Sequence, residues 1–545
     1  MGQFEELLCK ELKKYDDVII YGFEDIGMTM LDYIIDIETS IKIANYSGRV
    51  KYFATSAKEC KSKRTEKKGI RIKSIYDLTD YAKSALVIIA TQEQHHSDIR
   101  KILNELGFDN QLYILHENYC EIRKAIEEHK LMVDTNIQNY HINHYNKLNR
   151  LREKIKNGEK AKVFFMTHDA AVFGAMSVYR AMEKCDVFEP YIYIVSRRDV
   201  GYAEFMEDVK KDVDFFENYG CRVICGYDAE GNPKDLHQFR PDILFYDIPK
   251  LYGCAAKSYN RMEQLNWEYL TCYIPYGMLM VDSFYYHYHT KCIRETWRFF
   301  LDTKSDFKRV LSDGEFNGFN TVYGGYPKYD DYFNDEIKIP SKIDNGKPIV
   351  IYAPHHSLFA SNNFATFDLY KDDMLSFVKK HKEINFVIKP HPLLYFQIRA
   401  RAQSKMIDFD ENDYLNYLAE WEACENGLCM TQGNYIPLFR KSACMITDCG
   451  SFIGEYFPSL NPCIYLFNPR KKRQEDVYTP LAIKILDTYY ITRTKEELYN
   501  NLENIIINGN DSKYENRKKL YESEFDNIGH SGETICNYLL NEISK

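Results

Sequence analysis

The sequence predicts an α/β protein in which a small Rossmann-like module precedes a pair of Rossmann-like halves. Three segments, 349–356, 386–392 and 444–455, each begin as an apolar, β-branched run and stop abruptly at polar, Pro- or Gly-bearing residues. That pattern is typical of buried parallel strands that end in loops. Such loops share the carboxyl edge of the sheet, where ligands bind. We therefore expect one crevice to be lined by His355, His356, Lys389, His391, Asp448, Gly450 and Ser451.

Residues 1–125 are expected to form the small module. Residues 1–14 have the pattern of an amphipathic helix, and apolar runs then alternate with helical patterns. The predicted strands are 18–21, 50–53, 86–90 and 111–115, and the predicted helices are 28–35 and 99–106. The first turn has Gly22 and Gly27 but lacks the middle glycine of the dinucleotide fingerprint, so NAD binding is not expected there.

A polar helical stretch, 126–160, is expected to connect this module to the first half, 161–335. Strands are predicted in that half at 162–166, 191–195, 222–225, 243–246 and 271–275, and the segment 322–330 closes it. The second half is expected to span 336–545. Two Rossmann-like halves in sequence indicate a GT-B-like architecture, with the acceptor half first and the nucleotide half second.

Composition narrows the classes of partner. The formal net charge of -9 argues against a general nucleic-acid role. Two basic runs stand out, at 58–73 and 470–473, and either they are solvated surface loops or they contact anionic lipid head groups or a polyanionic substrate. The 15 cysteines form no C-x-x-C pair, which indicates a reducing compartment and no structural zinc. With no signal-peptide pattern and no apolar run long enough to span a bilayer, a cytoplasmic protein is expected, at most peripheral on the inner membrane face.

Three motifs together resemble the CDP-glycerol glycerophosphotransferase family, the teichoic-acid polymerases and primases. They are Tyr352-Ala-Pro, Lys389-Pro-His-Pro and Ile446-Thr-Asp-Cys-Gly-Ser, and the segments 325–330 and 526–532 resemble two further parts of that family. The resemblance covers residues 160–540. It implies that glycerol phosphate, or a related polyol phosphate, passes from a CDP-activated donor to a polymer or lipid-linked acceptor, with release of CMP. No cofactor and no metal ion are expected.

The nucleotide-side motifs can be given roles in such a reaction. Lys389 and His391 would stabilise charge on the diphosphate, with His391 as the catalytic group. The amides of Gly450 and Ser451 would bind phosphate at the start of a helix over 452–457.

The remaining nucleotide-side residues are less specific. Asp448 would orient the same turn. Glu455 would accept ribose hydroxyls or be a solvated acid of the first turn. One of His355 and His356 would contact phosphate or cytosine.

The acceptor half departs from the family pattern at one position. Tyr276 stands before Gly277, where the family has a histidine that is its proposed base. A neutral tyrosine, with a pKa of ~10, is a poor base at neutral pH. Either another group replaces it or the acceptor differs, and the nearest candidate groups are Asp282, His287 and His289. His168, which follows the strand at 162–166, either helps to bind the acceptor or is an ordinary loop histidine.

Two other functions remain open on the sequence. One is a GT-B glycosyltransferase that uses a nucleotide sugar, with a CMP-sugar favoured, in capsule or surface-glycan synthesis. The other is a catalytically inactive binding module, because the family histidine is missing.

Overall fold

The computed structural model confirms the predicted α/β class, with three sheets built almost entirely of parallel strands. The chain divides into two compact units, 1–143 with 283–295 and 144–282 with 296–545. The finer boundaries at 125, 160 and 335 stay a prediction. The structure describes residues 3–12, 14–15, 17–40, 50–57, 66–67, 70–170, 173–195, 202–247, 262–281, 291–312, 318–334, 338–359, 364–431, 435–471, 477–525 and 527–545.

The first unit contains one six-stranded sheet in the order β3-β4-β2-β1-β5-β6. Its strands are β1 Val18–Tyr21, β2 Val50–Thr55, β3 Glu66–Lys67, β4 Ile70–Ser74, β5 Leu86–Ile89 and β6 Gln111–Tyr113. Its helices are Gln3–Leu12, Asp25–Ser40, His96–Glu105, Lys291–Glu295 and the first part of His116–Lys156, and the short 3-10 helices are Ile75–Tyr81 and Glu93–His95. The four predicted strands are confirmed, and the predicted connector helix begins earlier, at His116.

One prediction in this unit is wrong in part. One of the alternatives for the basic run 58–73 was a solvated surface loop, yet Ile70–Ser74 is a strand with Ile70 and Ile72 buried. The basic side chains of Arg71 and Lys73 alternate with these apolar ones, and Lys73 Nζ lies 4.8 Å from the centroid of the Tyr52 ring. The strand was not predicted because the many charged residues of the run obscured the alternation of apolar and basic side chains, which is typical of a half-buried strand.

The first sheet of the second unit has the order β13-β12-β11-β10-β7-β8-β9, with all strands parallel. Its strands are β7 Ala161–Thr167, β8 Phe188–Ile194, β9 Val223–Cys225, β10 Ile243–Tyr246, β11 Leu270–Tyr273, β12 Arg298–Leu301 and β13 Thr321–Tyr323. The chain winds outward from β7 in one direction and from β10 in the other. The topological switch point therefore lies between β7 and β10.

The second sheet of this unit has the order β16-β15-β14-β17-β18-β19, again all parallel. Its strands are β14 Ile349–Ala353, β15 Asn385–Ile388, β16 Gly427–Cys429, β17 Cys444–Thr447, β18 Cys463–Leu466 and β19 Tyr490–Thr492. Alternate residues of β14 enter two different hydrophobic cores, which explains its unbroken apolar run. The switch point of this sheet lies between β14 and β17.

Helices cover both sheets of the second unit. The α-helices are Met176–Glu183, Tyr202–Asn218, Met262–Glu268, Lys304–Ser312, Phe367–Lys380, Leu394–Gln403, Glu411–Ala423, Ile436–Lys441, Gly450–Glu455, Pro480–Asp487, Lys495–Asn501, Tyr514–Glu524 and Ser531–Ser544. Single turns of 3-10 helix occur at Leu236–Phe239, Pro327–Phe333 and Phe457–Ser459, and Leu502–Ile507 is a π-helix. No helix in the described ranges has the length and apolar character needed to cross a bilayer.

Candidate functional site

The switch point of the second sheet is held together by one buried carboxylate. Asp448, which follows β17, accepts hydrogen bonds from the backbone N–H of His355 at 2.6 Å and from the N–H and hydroxyl of Thr366 at 2.6 and 2.8 Å. Burial raises the pKa of Asp448 to about 6, although these hydrogen bonds oppose the shift. This geometry supports the predicted role of Asp448 in orienting the turn, because its oxygens are committed to protein donors.

Three imidazoles meet beside that turn. The ring centroids of His356 lie 4.2 Å from His355 and 4.1 Å from His391, and the rings of His355 and His391 are 5.4 Å apart. Burial lowers the pKa of His355 well below its ordinary value, helped by the other two histidines, and burial lowers the pKa of His356 to about 4. His355 and His356 are therefore neutral at pH 7.

Hydrogen bonds select the tautomers of two of these rings. The Nδ1 atom of His391 accepts from the backbone N–H of Leu393 at 3.1 Å. The Nδ1 atom of His355 accepts from the N–H of Ser357 at 3.2 Å and lies 2.8 Å from the Ser357 hydroxyl, whose oxygen in turn accepts from the N–H of Phe364. A neutral imidazole that accepts at Nδ1 carries its proton on Nε2. His355 and His391 thus each carry a proton on Nε2.

These tautomers bear on metal binding. Ring nitrogens of the three histidines lie within 4.8 Å of one another, which is close enough to share an ion. A metal ligand needs a free lone pair, yet both Nδ1 lone pairs of His355 and His391 accept protein hydrogen bonds and both Nε2 atoms carry protons. The cluster as hydrogen-bonded suits an anion better than a cation, and the expected absence of a metal stays a prediction.

Lys389 is a buried cation at the same edge of the sheet. It follows β15 and is 8% exposed, with Nζ 4.5 Å from the centroid of the Tyr435 ring. No described residue accepts a hydrogen bond from its ammonium or forms an ion pair with it. Burial and the neighbouring Lys328 lower the pKa of Lys389 to about 8. A buried ammonium without an acceptor costs free energy unless an anion binds there.

Glu455 does not balance this charge alone. Its carboxylate is buried and accepts hydrogen bonds from the hydroxyls of Tyr435 and, at 3.4 Å, Tyr326, while Lys328 Nζ lies 3.6 Å away and also donates to Tyr435 at 2.6 Å. Two ammonium groups, those of Lys328 and Lys389, thus face one carboxylate. The alternative of a solvated Glu455 is wrong, because tyrosines from two segments cover it, and the ribose contact stays a prediction.

The helix after β17 begins at Gly450, two residues earlier than predicted, and ends at Glu455. Its last carbonyls accept from tyrosine hydroxyls, Gly454 from Tyr329 and Glu455 from Tyr332 at 2.7 Å. Both tyrosines lie in the 3-10 helix Pro327–Phe333, so the connecting segment fixes the position of this turn. Phosphate binding by the amides of Gly450 and Ser451 stays a prediction.

The loops that follow the strands of both sheets contact each other. A Cβ placed on Gly277 would lie 3.7 Å from Glu455 Oε1, and one on Gly454 would lie 2.9 Å from Met278 Sδ. Met280 accepts a backbone hydrogen bond from Thr479 at 2.8 Å. The segment after β11 therefore lies against the helix after β17, with Tyr276 itself 48% exposed.

The structure places the other acceptor-side residues as follows. His168 follows β7 and lies beside Asp247, which follows β10, with His168 Nδ1 3.6 Å from Asp247 Oδ1. The sequence analysis did not name Asp247 as a candidate. It directly follows the predicted strand 243–246, so the search for polar residues after strand ends would have found it. Asp282, His287 and His289 lie outside the described residues.

Two motifs of the resemblance contact each other, and the first of them also supplies Tyr326 and Lys328 to the surroundings of Glu455. Asp330 accepts hydrogen bonds from the backbone N–H groups of Ser531 and Gly532, at 3.0 and 2.8 Å. The carboxylate thus binds the first amides of the last helix. The segments 325–330 and 526–532 have a structural role in joining the chain's last helix to the first half of this unit.

Two Rossmann-like sheets with contacting carboxyl-edge loops, one of them lined by histidines and a buried lysine, give this unit a GT-B-like fold. Residues 293–541 match the family model described as CDP-Glycerol:Poly(glycerophosphate) glycerophosphotransferase. The match confirms the resemblance seen in the sequence.

Several solved structures are similar to this chain. A variant of the wall teichoic acid polymerase TagF soaked with CDPG is 13% identical, with 74% of this chain and 98% of that chain covered and a TM-score of 0.42. The UDP-GlcNAc 2-epimerase from Neisseria meningitidis bound to UDP-GlcNAc is 14% identical, with 70% and 100% covered and a TM-score of 0.43. The S. aureus MnaA-UDP structure is 13% identical, with 71% and 98% covered and a TM-score of 0.44. The comparison with curated proteins gives no match.

Proposed function

We propose that this protein transfers glycerol phosphate, or a related polyol phosphate, from a CDP-activated donor to a hydroxyl of a surface-polymer or lipid-linked acceptor and releases CMP. The observation that carries this proposal is the buried ammonium of Lys389, which has no acceptor among the described residues and lies at the carboxyl edge that also holds His355, His356 and His391. The match of residues 293–541 to the glycerophosphotransferase family supports the choice of donor.

The proposed reaction needs groups that stabilise negative charge, and this edge of the sheet carries such groups. The acceptor oxygen bonds to the phosphorus that carries glycerol, the bridging P–O bond of the diphosphate breaks, and CMP leaves with the bond's electron pair. Negative charge grows on the leaving phosphate as this happens. Lys389 and the Nε2–H groups of His355 and His391 would donate hydrogen bonds to that charge.

A comparison of different activated donors tests the proposal directly. We expect the full-length protein to release CMP from CDP-glycerol and to give no release from UDP-sugars. Calorimetry should show tighter binding of CDP than of UDP or ADP. Equal affinity for the three diphosphates would count against cytidine recognition, and release of CMP from a CMP-sugar alone would favour a glycosyltransferase instead.

Turnover is expected not to require a metal ion. Lys389 and the two Nε2–H donors would supply the positive character that a divalent cation supplies elsewhere. We expect CMP release from CDP-glycerol to be unchanged after treatment with EDTA and dialysis. Activity that is lost in EDTA and restored only by Mg²⁺, Mn²⁺ or Zn²⁺ would contradict this.

The N-terminal module is proposed to hold the enzyme at an anionic membrane surface, where a lipid-linked acceptor is available. Each Lys or Arg near such a surface contributes ~1 kcal/mol, so replacing Lys61, Lys63 and Arg64 by glutamine should weaken binding to phosphatidylserine vesicles by about 10²-fold. Vesicle sedimentation at two salt concentrations measures this. Donor turnover should not change in the triple variant.

A matched control removes three positive charges elsewhere. Lys210, Lys211 and Lys518 are exposed, and their replacement by glutamine should leave vesicle binding close to that of the parent protein. Equal losses in both triple variants would show that the attraction depends on total charge and not on the basic run 58–73.

A further inference from the structure

The pair formed by His168 and Asp247 is not explained by the donor site. Both side chains are buried, at 2% and 6% exposure, and they lie 3.6 Å apart between Nδ1 and Oδ1. Among the described residues, neither of these two atoms has a hydrogen-bond partner, and the Oδ2 atom of Asp247 accepts a hydrogen bond from the Thr167 hydroxyl at 3.4 Å. A pair that served only the fold would be expected to form full hydrogen bonds, since each buried unsatisfied group costs about 1–3 kcal/mol.

The position of the pair in the sheet is that of a ligand site. His168 follows β7 and Asp247 follows β10, the two strands at which the order of the first sheet reverses. Ligands of open parallel sheets bind outside the carboxyl ends of the strands at this point. The switch point of the other sheet holds the donor-side histidines, so each half of the transferase presents one cluster of polar groups at its switch point.

A short chain of contacts links the pair to the donor side. The backbone carbonyl of Asp247 accepts from the N–H of Tyr276 at 3.2 Å, and the next residue, Gly277, adjoins Glu455. Asp247 also lines a small pocket whose other lining residues are largely aromatic and apolar. The carboxylate is the charged group of that lining.

We propose that His168 is the base that removes the proton from the acceptor hydroxyl, and that Asp247 is the residue that positions its ring. This inference rests on the proposed function. The Nδ1–H of His168 donates to Asp247 as the pair closes, which leaves the Nε2 lone pair for the substrate. Hydrogen bonds of this kind are commonly long in unliganded enzymes and tighten in the substrate complex.

The step balances without another reactant. The acceptor O–H bond breaks and its proton moves to His168 Nε2, while the acceptor oxygen forms a bond to the phosphorus that carries glycerol. The bridging P–O bond breaks, and its electron pair leaves on CMP. The imidazolium formed at His168 is stabilised by the Asp247 carboxylate and returns its proton to solvent.

Asp302, after β12, is another buried carboxyl at this edge, and it is an alternative candidate for the base. Burial and the neighbouring Asp306 raise the pKa of Asp302. This shift favours the protonated form of Asp302, which cannot accept another proton. Tyr276 is a poor base for the same reason, because a neutral phenol also keeps its proton at neutral pH.

The test separates the acceptor step from donor binding. His168→Gln should lower kcat for CMP release, with glycerol as the probe acceptor, by about 10²- to 10⁴-fold. The Kd for CDP-glycerol, measured by calorimetry, should stay within about twofold of the parent value, since the donor contacts are untouched. His168→Gly should recover activity when imidazole is added, which a structural role would not produce.

Asp247→Asn gives an independent readout. Loss of the carboxylate should lower kcat and move the acid limb of the pH–rate profile to lower pH, because the imidazolium loses its neighbouring negative charge. His237→Gln is the matched control, since His237 is an exposed histidine paired with Asp235 at 2.9 Å in the same half, and its activity should not change.

The outcomes distinguish the two proposals. Transfer within a few-fold of the parent in His168→Gln, no imidazole rescue in His168→Gly, or an unmoved acid limb in Asp247→Asn would overturn the role of the pair. Loss of activity in Asp302→Asn with normal His168→Gln would assign the base to Asp302. Failure of the parent protein to bind CDP-glycerol would refute the proposed function itself.

Discussion

Lys389→Met is expected to weaken the binding of CDP-glycerol by about 10²- to 10³-fold, because truncating one partner of a buried charge pair typically costs 2–5 kcal/mol. The ammonium is buried beside Tyr435 and has no described acceptor in the unliganded protein. The diphosphate would be that acceptor. Calorimetric titration of the parent and variant proteins with CDP-glycerol measures the difference.

The same substitution should not destabilise the fold. Burial lowers the pKa of Lys389 from 10.5 to about 8, a difference that corresponds to a cost of about 3 kcal/mol for holding the charge in the folded protein at pH 7. Methionine fills a similar volume without that charge. We therefore expect the melting temperature of Lys389→Met to equal or exceed that of the parent, a stability gain at the expense of function.

The pKa of Lys389 also sets a pH dependence for binding. The free protein loses this proton as the pH rises through about 8, whereas the complex with a phosphate ligand retains it. Affinity should therefore be constant below pH 7 and fall by up to ~10-fold per pH unit above 8. Titrations at pH 8 in buffers of different ionisation enthalpy should show uptake of protons on binding.

Lys371→Met is a suitable control. Lys371 lies in the same half, with Nζ 5.4 Å from the centroid of the Phe409 ring, but its ammonium pairs with Asp372. We expect normal binding in this variant. Normal binding in Lys389→Met, or proton release instead of uptake in the parent protein, would remove Lys389 from the donor site.

Much of the site could be predicted because strand ends are visible in the sequence. His355, Lys389, His391 and Asp448 each follow an apolar run that ends in Pro, Gly or a charged residue, and parallel topology then brings them to one edge. The position of a residue after a strand predicts which other residues lie near it, but not which atoms form hydrogen bonds. It could not show that the Asp448 carboxylate accepts a hydrogen bond from Thr366, since that hydrogen bond depends on where a distant loop lies.

The residues that were missed lie on elements without such a signal. Tyr435 and Lys328 reach Glu455 from a helix start and from the segment between the halves, and no spacing along the chain relates them to it. Burial of Glu455 was missed for the same reason, because its neighbours are tyrosines whose polar hydroxyls also occur on surfaces.

The strands that escaped prediction are short. β12, Arg298–Leu301, follows Thr296 and Trp297 without a Gly or Pro to mark its start, and β16 and β19 have three residues each. For β12, pairing with a strand on each side is what stabilises the extended conformation. β12 pairs with both β11 and β13, so hydrogen bonds on both sides offset a weak local preference.

His391→Asn is expected to lower the rate of CMP release from CDP-glycerol by about 10²- to 10³-fold, the usual effect of losing one preorganised donor. Asparagine can accept the N–H of Leu393 with its side-chain oxygen, as Nδ1 of His391 does at 3.1 Å. It lacks the Nε2–H group. The substitution therefore keeps the turn and removes the donor, and steady-state rates with thermal melting of each variant measure the two effects.

Comparison with His391→Ala isolates the functional atom. Alanine loses both the turn hydrogen bond and the donor, so it should lose the same activity as asparagine and about 1 kcal/mol of stability as well. His530→Asn controls for histidine loss at an exposed site, where the side chain is 74% exposed. Full activity in His391→Asn would contradict the assignment of Nε2–H as a phosphate donor. Full activity in His391→Asn with loss in His391→Ala would show instead that His391 acts by holding the turn that carries Lys389.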